Sequence, residues 1–313
     1  MEYTTTLAAN EPIVITIGNF DGVHRGHQRL MHVLRQMAQE LHCKPAVVTF
    51  SPPTLLVVRP DIDLKYLSTL EEKLALTKAY GAIADSIVIR FTREVAGMSA
   101  TEFMDSLRAS FPIKGMVVGA NFSLGHNRMG DVTFLEHYGQ EHGIVVHPIP
   151  LEEIERARIS STRIRALVSE GQITEANELL GHPVMLSDIV IHGDHRGQLL
   201  GFPTANVITE PHKLLPANGV YAVRVTVEDG PGSDPTHPSR VYNGVTNIGV
   251  RPTFNGKEHI VETHVLDADL DLYDRHITVD FVARLRDEQR FAGIEALKAQ
   301  IAADVQHARQ ILE

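Results

Sequence analysis

Two histidines at the start of a predicted helix are the first residues whose spacing suggests chemistry. The apolar run Ile13–Ile17, typical of a buried strand, leads directly into Gly18–His27 (GNFDGVHRGH), and a helical pattern follows. Glycines let a backbone approach a polyphosphate, and a helix N-terminus adds free N–H groups and partial positive charge. His24 and His27 are three residues apart, so both can face one side and donate hydrogen bonds to phosphate oxygens as charge develops. The segment is predicted to bind a nucleotide and to support phosphate chemistry without a nucleophilic side chain.

The H-x-G-H fragment is weak evidence by itself, because the chain contains 17 histidines and two surface histidines at a helix start are an equally good interpretation. A second segment, Ile159–Arg165 (ISSTRIR), adds hydroxyls that can cap a helix and bind phosphate, followed by arginines that can neutralise a triphosphate. Its alternative interpretation is an ordinary capped helix with solvated arginines.

A third set of candidate residues lies in the second half of the chain. Glycines at Gly193 and Gly197 precede the segment GFPTAN, in which Thr204 and Asn206 are two residues apart. In an extended segment both side chains lie on one side, and their oxygens are hard donors suited to Mg²⁺. The alternative is a turn, since Gly-Phe-Pro-Thr followed by Asn is favourable turn chemistry.

Two patterns of secondary structure must position these residues. Strands alternating with helices predict an α/β domain with a doubly wound parallel sheet, whose ligands lie at the carboxyl ends of the strands. Beyond about 183 the apolar residues recur with period two, which predicts an antiparallel β-barrel domain. A last helix, roughly 291–312, is expected to carry Ile294, Leu297, Ile301 and Val305 on one face. The predicted domains are 1–183 and 184–313.

The composition limits the classes of partner that the chain is expected to bind. The chain has 29 basic and 39 acidic residues, a net charge of −10, which argues against nucleic acid as the main partner. Its start lacks the features of a signal peptide, and no stretch approaches the roughly 20 apolar residues of a membrane span. Cys43 is the single cysteine. We therefore expect a soluble, cytoplasmic protein with small-molecule substrates, no zinc or redox site and an undetermined oligomeric state.

These segments together resemble the prokaryotic bifunctional riboflavin kinase and FAD synthetase (FMN adenylyltransferase) family. The first two resemble signatures of the nucleotidyltransferase superfamily, and Gly119–Gly125 (GANFSLG) is similar to its flavin- and nucleotide-facing loop. The PTAN segment resembles the riboflavin kinase signature. Val261–Leu266 (VETHVL) resembles the strand that carries the catalytic base of that kinase, and Leu285–Phe291 (LRDEQRF) resembles its flavin-closing loop. The resemblance covers about 12–308, with the signatures in the expected order.

The resemblance implies two ATP-dependent reactions that require Mg²⁺: riboflavin to FMN in the β domain, and FMN to FAD in the α/β domain. Glu262 would accept the proton of the ribityl hydroxyl, with His24 and His27 catalytic in the other domain. The implied nucleotide-binding residues are Gly18, Asn19, Phe20, Asp21, His24, His27, Ser160, Ser161, Thr162, Arg163, Arg165, Gly193, Gly197, Thr204 and Asn206. The implied flavin-binding residues are Asn121, Phe122, Arg286 and Phe291, and the implied metal ligands are Thr204 and Asn206.

The sequence also departs from the family pattern. Ser51 and Pro53 stand where an acid and a histidine are expected after the second strand, and Leu124 replaces an aromatic residue. These differences leave three alternatives: a riboflavin kinase whose first domain is weakened or inactive, a nucleotidyltransferase for another phosphate-bearing acceptor, and a non-catalytic regulator that senses flavin or nucleotide. By a plainer interpretation, Glu262 is a solvent-facing strand residue.

Overall fold

The computed structural model describes two compact units, Met1–Ser161 and Thr162–Glu313. Within them it describes residues 1–8, 10–150, 153–154, 157–192, 201–207, 209–227, 240–253, 256–268 and 270–313. Gly193 and Gly197, which we predict to bind nucleotide, lie outside the described residues.

The first unit is built on a six-stranded sheet in the order β1-β4-β3-β2-β5-β6. Its strands are β1 (Tyr3–Thr5), β2 (Ile13–Ile17), β3 (Lys44–Ser51), β4 (Asp85–Arg90), β5 (Ile113–Gly119) and β6 (Val145–Ile149), followed by the small β7–β8 pair, Glu153–Ile154 and Ala157–Arg158. Its helices are α1 (Arg25–Glu40), α2 (Thr54–Val58), α3 (Leu70–Gly81), α4 (Arg93–Gly97), α5 (Ala100–Ser110) and α6 (Val132–His142). The edge strand β1 is antiparallel to β4, whereas the other neighbours are parallel, which confirms the predicted α/β class.

Helix caps explain where the helices of this unit begin. Thr69 and Ser99 each form a capping box with the glutamate three residues later, so α3 and α5 start with their first N–H groups satisfied. Every residue of β2 is buried, as expected for a central strand covered on both faces. The core on one side of the sheet joins β2, β3 and β4 to α5 and α6.

The position of β2 in the sheet determines where a ligand can bind. The chain leaves β2 through α1 to β3 on one side, and β5 lies on the other side of β2. Loops that leave β2 and β5 therefore diverge to opposite sides and open a crevice at the carboxyl ends of the strands, where doubly wound folds bind ligands. The segments that follow these strands begin at Gly18 and Ala120, which places two of the predicted motifs at this crevice.

The second unit contains a closed six-stranded antiparallel barrel in the order β10-β13-β12-β11-β14-β9, as predicted for a barrel-like domain. Its strands are β9 (Val184–Ile191), β10 (Ala205–Val207), β11 (Gly219–Val227), β12 (Arg240–Thr253), β13 (Gly256–Val265) and β14 (His276–Arg286). Tyr221 and Phe281 fill the interior and meet edge to face, with ring centroids 5.5 Å apart. Because alternate residues of each strand face this interior, the intervening residues are available to a site on the outer surface.

Helix α9 (Ile294–Leu312) lies against the barrel through part of the face that periodicity predicts, since Ile301 and Val305 belong to the packed cluster. Val305, Ala308 and Leu312 are buried, whereas Ile294 is 62% exposed. The predicted apolar face was therefore wrong at its first turn, because the contact with β11 and β12 is made by the second half of the helix. None of the described helices, including this one, is long and apolar enough to cross a membrane.

Two helices precede the barrel: α7 (Ser161–Ser169) and α8 (Ile173–Leu180). Asn177 of α8 donates through Nδ2 to the carbonyl of Phe281, 2.8 Å away, and accepts through Oδ1 from the N–H of Val184, 2.7 Å away. One side chain thus joins α8 to β14 and β9. The domain boundary that we predict at 183–184 stays a prediction.

Replacing Asn177 with alanine removes both hydrogen bonds. We expect Asn177→Ala to lower the free energy of unfolding of the second unit by about 1–3 kcal/mol, since a strand N–H and a strand carbonyl lose their partner. Glu178→Ala, at the exposed neighbouring position, should change it by less than about 0.5 kcal/mol. Urea unfolding followed by circular dichroism measures both. Equal effects of the two variants would contradict the structural role of the amide.

Candidate active sites

The loop between β2 and α1 is tightly coiled. Phe20, Gly22 and Val23 have positive φ angles of 48°, 75° and 38°, yet Phe20 and Val23 are buried. The ring of Phe20 lies so close to Gly18 that a Cβ there would come within 3.0 Å of it. Gly18 is therefore required for this loop geometry, in addition to the access that it gives to a phosphate.

Hydrogen bonds from two parts of the chain, the segment 67–68 and Ser161, hold this loop. The Asp21 carboxylate accepts from the N–H groups of Leu67 (2.8 Å) and Ser68 (3.1 Å), and Ser68 Oγ accepts from Gly22 N–H at 3.0 Å. Ser161 Oγ donates to the carbonyl of Asp21 at 3.0 Å. Asp21 and Ser161, both predicted to bind nucleotide, thus fix the shape of the loop.

Asn19 fastens the other side of the loop. Its Nδ2 donates to Thr54 Oγ1 at 2.9 Å, and its Oδ1 accepts from the Thr54 N–H at 3.3 Å. Thr54 is the first residue of α2, and Pro53 is the N-cap of that helix. The unexpected Pro53 therefore begins a short helix that Asn19 holds in place, a feature that the sequence motifs did not indicate.

The structure brings His24 and His27 together. Their rings stack with centroids 3.6 Å apart and an interplanar angle of 15°. His24 is the N-cap of α1, where its Nδ1 accepts from the backbone N–H of His27, so the neutral ring carries its proton on Nε2 and can donate there. Burial, His24 and Lys73 lower the pKa of His27 well below its usual value, so this ring is neutral at pH 7. His27 Nδ1 is buried without a hydrogen-bond partner among the described residues.

A cavity of about 770 Å³ opens at the crevice between β2 and β5. Gly18 and Asn19 line it at one side, and Asn121 and Phe122 line it at another. The cavity lining does not include the predicted residues His24, His27, Ser160 and Ser161. Aromatic and aliphatic side chains form its apolar wall: Phe50, Val57, Val58, Phe91, Phe103 and Leu124. A planar aromatic ligand fits such a wall, with polar groups from Asn19 and Asn121 to orient it. Thr54, Val57 and Val58 of α2 are lining residues that no motif indicated, although an apolar run directly after a strand end was a usable signal.

The segment 121–130 is docked on the start of α5. A Cβ on Gly125 would lie 2.5 Å from the backbone nitrogen of Ala100, and one on Gly130 would lie 2.5 Å from the Cβ of Ala100. Arg128 Nε donates to Ser123 Oγ at 2.7 Å across the turn. Both glycines are needed for this close approach, which holds the cavity wall against the helix.

The ISSTRIR segment spans the start of α7. Ser160 and Ser161 belong to the first unit, and Thr162, Arg163 and Arg165 to the second. Arg165 Nη2 donates to Thr162 Oγ1 at 3.3 Å. The nucleotide-binding roles of these residues stay predictions.

In the second unit, three polar residues form a row on adjacent strands. Glu262 of β13 lies opposite Asn206 of β10 on one side and Asn247 of β12 on the other. Residues directly opposite each other share a face of the sheet, and this is the outer face, because Val261 and Thr263 on either side of Glu262 are fully buried. We call these three residues the Asn-Glu-Asn row. Asn247 is the member that the sequence analysis missed.

The PTAN segment is fixed by the strand that carries Glu262. His264 Nδ1 donates to the carbonyl of Pro203 at 2.8 Å, and its ring meets that of Phe202 edge to face at 5.5 Å. Thr204 therefore follows an anchored carbonyl and immediately precedes β10. This arrangement fixes the start of β10, in which Asn206 lies opposite Glu262, and Thr204 lies two residues before Asn206.

Arg286 does not have the free guanidinium expected of a flavin-binding residue. Its Nε and Nη2 bond to the carboxylate of Asp304 on α9 at 2.8–3.0 Å, and its Nη1 donates to the Asp287 carbonyl at 2.9 Å. The guanidinium carbon lies 5.7 Å from the centre of the Phe291 ring. Arg286 thus joins helix α9 to the segment that carries Phe291.

Glu288 fixes the middle of that segment. Its Oε2 accepts from Asn218 Nδ2 at 3.1 Å, and its Oε1 lies where a Cβ on Gly249 would be 2.5 Å away. Gly249 follows Asn247 by two residues on β12. The bond to Asn218 therefore holds the segment 286–291 next to the start of β11, and the Glu288 carboxylate packs close to Gly249 of β12.

Both halves of the chain are similar to known protein families. A family profile described as FAD synthetase matches residues 6–163, and one described as riboflavin kinase matches residues 180–312. A bifunctional riboflavin kinase/FMN adenylyltransferase from Escherichia coli K12 is 39% identical over 304 residues, 97% of this chain and 94% of the relative. A protein of the same name from Haemophilus influenzae is 34% identical over 297 residues, 94% of this chain and 92% of the relative. A crystal structure titled macrolide-efflux protein, from Streptococcus pneumoniae, has a TM-score of 0.84 at 28% identity and covers 97% of this chain and 96% of its own.

The buried Arg286–Asp304 pair leads to a stability prediction. We expect Asp304→Asn to lower the free energy of unfolding of the second unit by about 3 kcal/mol, because it leaves a largely buried guanidinium without its countercharge. Asp267→Asn is a matched control, since Asp267 binds Arg309 of the same helix in an exposed pair and should change stability little. Calorimetry of the three proteins tests this, and equal melting temperatures would contradict it.

Proposed function

The chain belongs to the bifunctional riboflavin kinase/FMN adenylyltransferase family and catalyses both reactions, and we propose that its two units divide them. The second unit would convert riboflavin and ATP to FMN and ADP. The first unit would convert FMN and ATP to FAD and pyrophosphate. For the first unit, one observation supports this assignment: the loop after β2 leads to the stacked pair His24 and His27 and adjoins the cavity.

Adenylyl transfer in the first unit requires position and charge rather than a protein nucleophile. A phosphate oxygen of FMN attacks the α-phosphorus of ATP, and the bond to the β-phosphate oxygen breaks to release pyrophosphate. We assign the isoalloxazine ring to the apolar wall of the cavity, with Asn121 and Phe122 at its edge. His24, through Nε2–H, would donate to the phosphates as negative charge develops, and His27 beside it is kept neutral. Gly18 would let the phosphates approach the backbone.

Phosphoryl transfer in the second unit is assigned to the Asn-Glu-Asn row. The ribityl primary hydroxyl attacks the γ-phosphorus of ATP, the bond to the β-phosphate oxygen breaks, and Glu262 accepts the hydroxyl proton. Asn206 and Asn247 flank the carboxylate and would orient the hydroxyl. Phe291, held by Arg286, would cover the flavin, so Arg286 supports the binding of flavin through Phe291 rather than by contact with it.

We assign a Mg²⁺ ion to Thr204 and Asn206. A hydroxyl and an amide carbonyl beside a carboxylate form an all-oxygen donor set, which fits a magnesium ion that keeps most of its ligands from water and phosphate. When bound, the ion neutralises phosphate charge. No group of three or more His, Cys, Asp or Glu that could hold a metal by itself occurs in the described part of the chain.

Ser51 and Pro53, which stand where the family pattern has an acid and a histidine, are expected to affect the rate of FAD formation. Because Pro53 begins α2 and Asn19 binds the first residue of that helix, the local backbone is organised around the prolines. Proline supplies no donor to phosphate, so we propose that this enzyme makes FAD slowly relative to close members of its family. A cytoplasmic location is also proposed, since a chain with one cysteine forms no internal disulfide that a reducing compartment would break.

Glu262→Gln tests the kinase assignment. Riboflavin phosphorylation should fall roughly 10²–10⁴-fold, the usual contribution of a positioned general base, while FAD formation from supplied FMN persists. Chromatography of flavins after incubation with ATP and Mg²⁺ measures both. Glu170→Gln, an exposed carboxylate of the same unit, serves as the control. Parallel loss of both reactions would show that the two sites are not separate.

His27→Ala tests the adenylyltransferase assignment. Removing a ring that packs on His24 at the phosphates should lower FAD formation about 10²–10³-fold, with riboflavin phosphorylation unchanged. His32→Ala, an exposed histidine on the same helix, is the matched control. An FAD rate equal to that of the control would assign the histidine pair a purely structural role.

A further inference from the structure

A buried lysine lies beneath the loop that carries the histidines. Lys73 is on α3, which packs against α1, and only 4% of its surface is exposed. Its Nζ donates to Thr49 Oγ1 at 3.3 Å, and the Thr49 hydroxyl approaches the carbonyl of Asn19 at 3.4 Å. Thr49 Oγ1 is the one hydrogen-bond partner of the Lys73 ammonium in the described part of the chain.

The charged groups around this ammonium belong to the adenylyltransferase site. Asp21 interacts with it from the loop, and Lys73 in turn acts on His27 of α1, as does His24. Glu72, next to it on α3, is engaged in the helix cap, where it accepts from the Thr69 N–H at 2.8 Å. From β3 the contact is the uncharged Thr49.

The buried charge of Lys73 does not stabilise the fold. Burial lowers the pKa of Lys73 from 10.5 to about 8, and Asp21 offsets only part of that effect. The unfolded chain therefore binds this proton more tightly than the folded one, so the charged form costs stability at every pH below about 8. An apolar side chain of the same length would avoid that cost.

We propose that Lys73 is a positioning residue for adenylyl transfer, whose buried ammonium lies beneath the 18–27 loop and supplies the positive charge toward which the phosphates of ATP are drawn. It acts through Thr49, Asn19 and His27, not by contact with the reacting atoms. The proposal rests on the assignment of FAD formation to the first unit. It adds a cation beside His27, which burial keeps neutral.

Lys73→Met tests this by removing the charge while keeping the length of the side chain. We expect FAD formation from FMN to fall about 10²-fold, and the melting temperature of the first unit to stay equal or rise. Lys78→Met, an exposed lysine on the same helix, should change neither. Riboflavin phosphorylation, measured on the same preparations, should be unchanged in both variants.

The pH profile gives a readout that a structural role would not change. For the wild type, kcat/KM for ATP in FAD formation should decline as the pH rises through about 8, where free Lys73 loses its proton. Phosphate groups have lost their protons well below that pH, so they do not cause the decline. The Lys73→Met profile should lack it, and the kinase reaction should lack it in every protein.

Two results would overturn the proposal: a Lys73→Met enzyme that makes FAD at the wild-type rate, or a wild-type profile that is flat between pH 7 and about 9.5. The second measurement decides the question even where the variant fails to fold. Failure of the underlying assignment is distinguishable, because His27→Ala would then also make FAD at the wild-type rate.

Discussion

The shape of the loop between β2 and α1 depends on backbone groups that have no partner in a strand or a helix. A loop with positive φ angles at Phe20, Gly22 and Val23 turns its N–H and carbonyl groups away from regular pairing. Ser68 and Ser161 bind two of those groups, and Asp21 ties the loop to the segment before α3. With these bonds in place, His24 reaches the N-cap position, from which its ring can stack on that of His27.

In the second unit, charged side chains fix the position of an irregular segment. The segment after β14 has no regular structure of its own. Arg286 bonds it to Asp304 of α9, and Glu288 bonds it to Asn218, just before β11. A buried ion pair adds little net stability compared with apolar packing, but it defines one geometry. That geometry includes Phe291, whose ring lies beside the Arg286 guanidinium.

The sequence predicted what periodicity and turn chemistry determine locally. Both domain types, the strand before Gly18 and the pairing of His24 with His27 follow from spacing alone. Lys73 and Asp304 could not be assigned from motifs, because each is a charged residue on the buried face of a helix and its partner is distant in sequence. The sequence did contain an indication of both residues, because each is a charged residue at a helical position where an apolar residue is expected. The roles of Asp21 and Arg286 also depend on partners, Ser68 and Asp304, that only the tertiary structure brings near.

The closure of the barrel has a consequence for the order in which the protein folds during synthesis. Strand β9 pairs with β14, and the Ser187 and Thr278 hydroxyls that meet at 2.8 Å are 91 residues apart. The edge of β9 that faces β14 therefore stays unpaired until most of the second unit has left the ribosome. By then all the parallel strands of the first unit have been synthesised. Long-range pairing of this kind slows folding and leaves an edge open to other chains. During synthesis, therefore, the nascent second unit exposes one edge of β9 until β14 has been made.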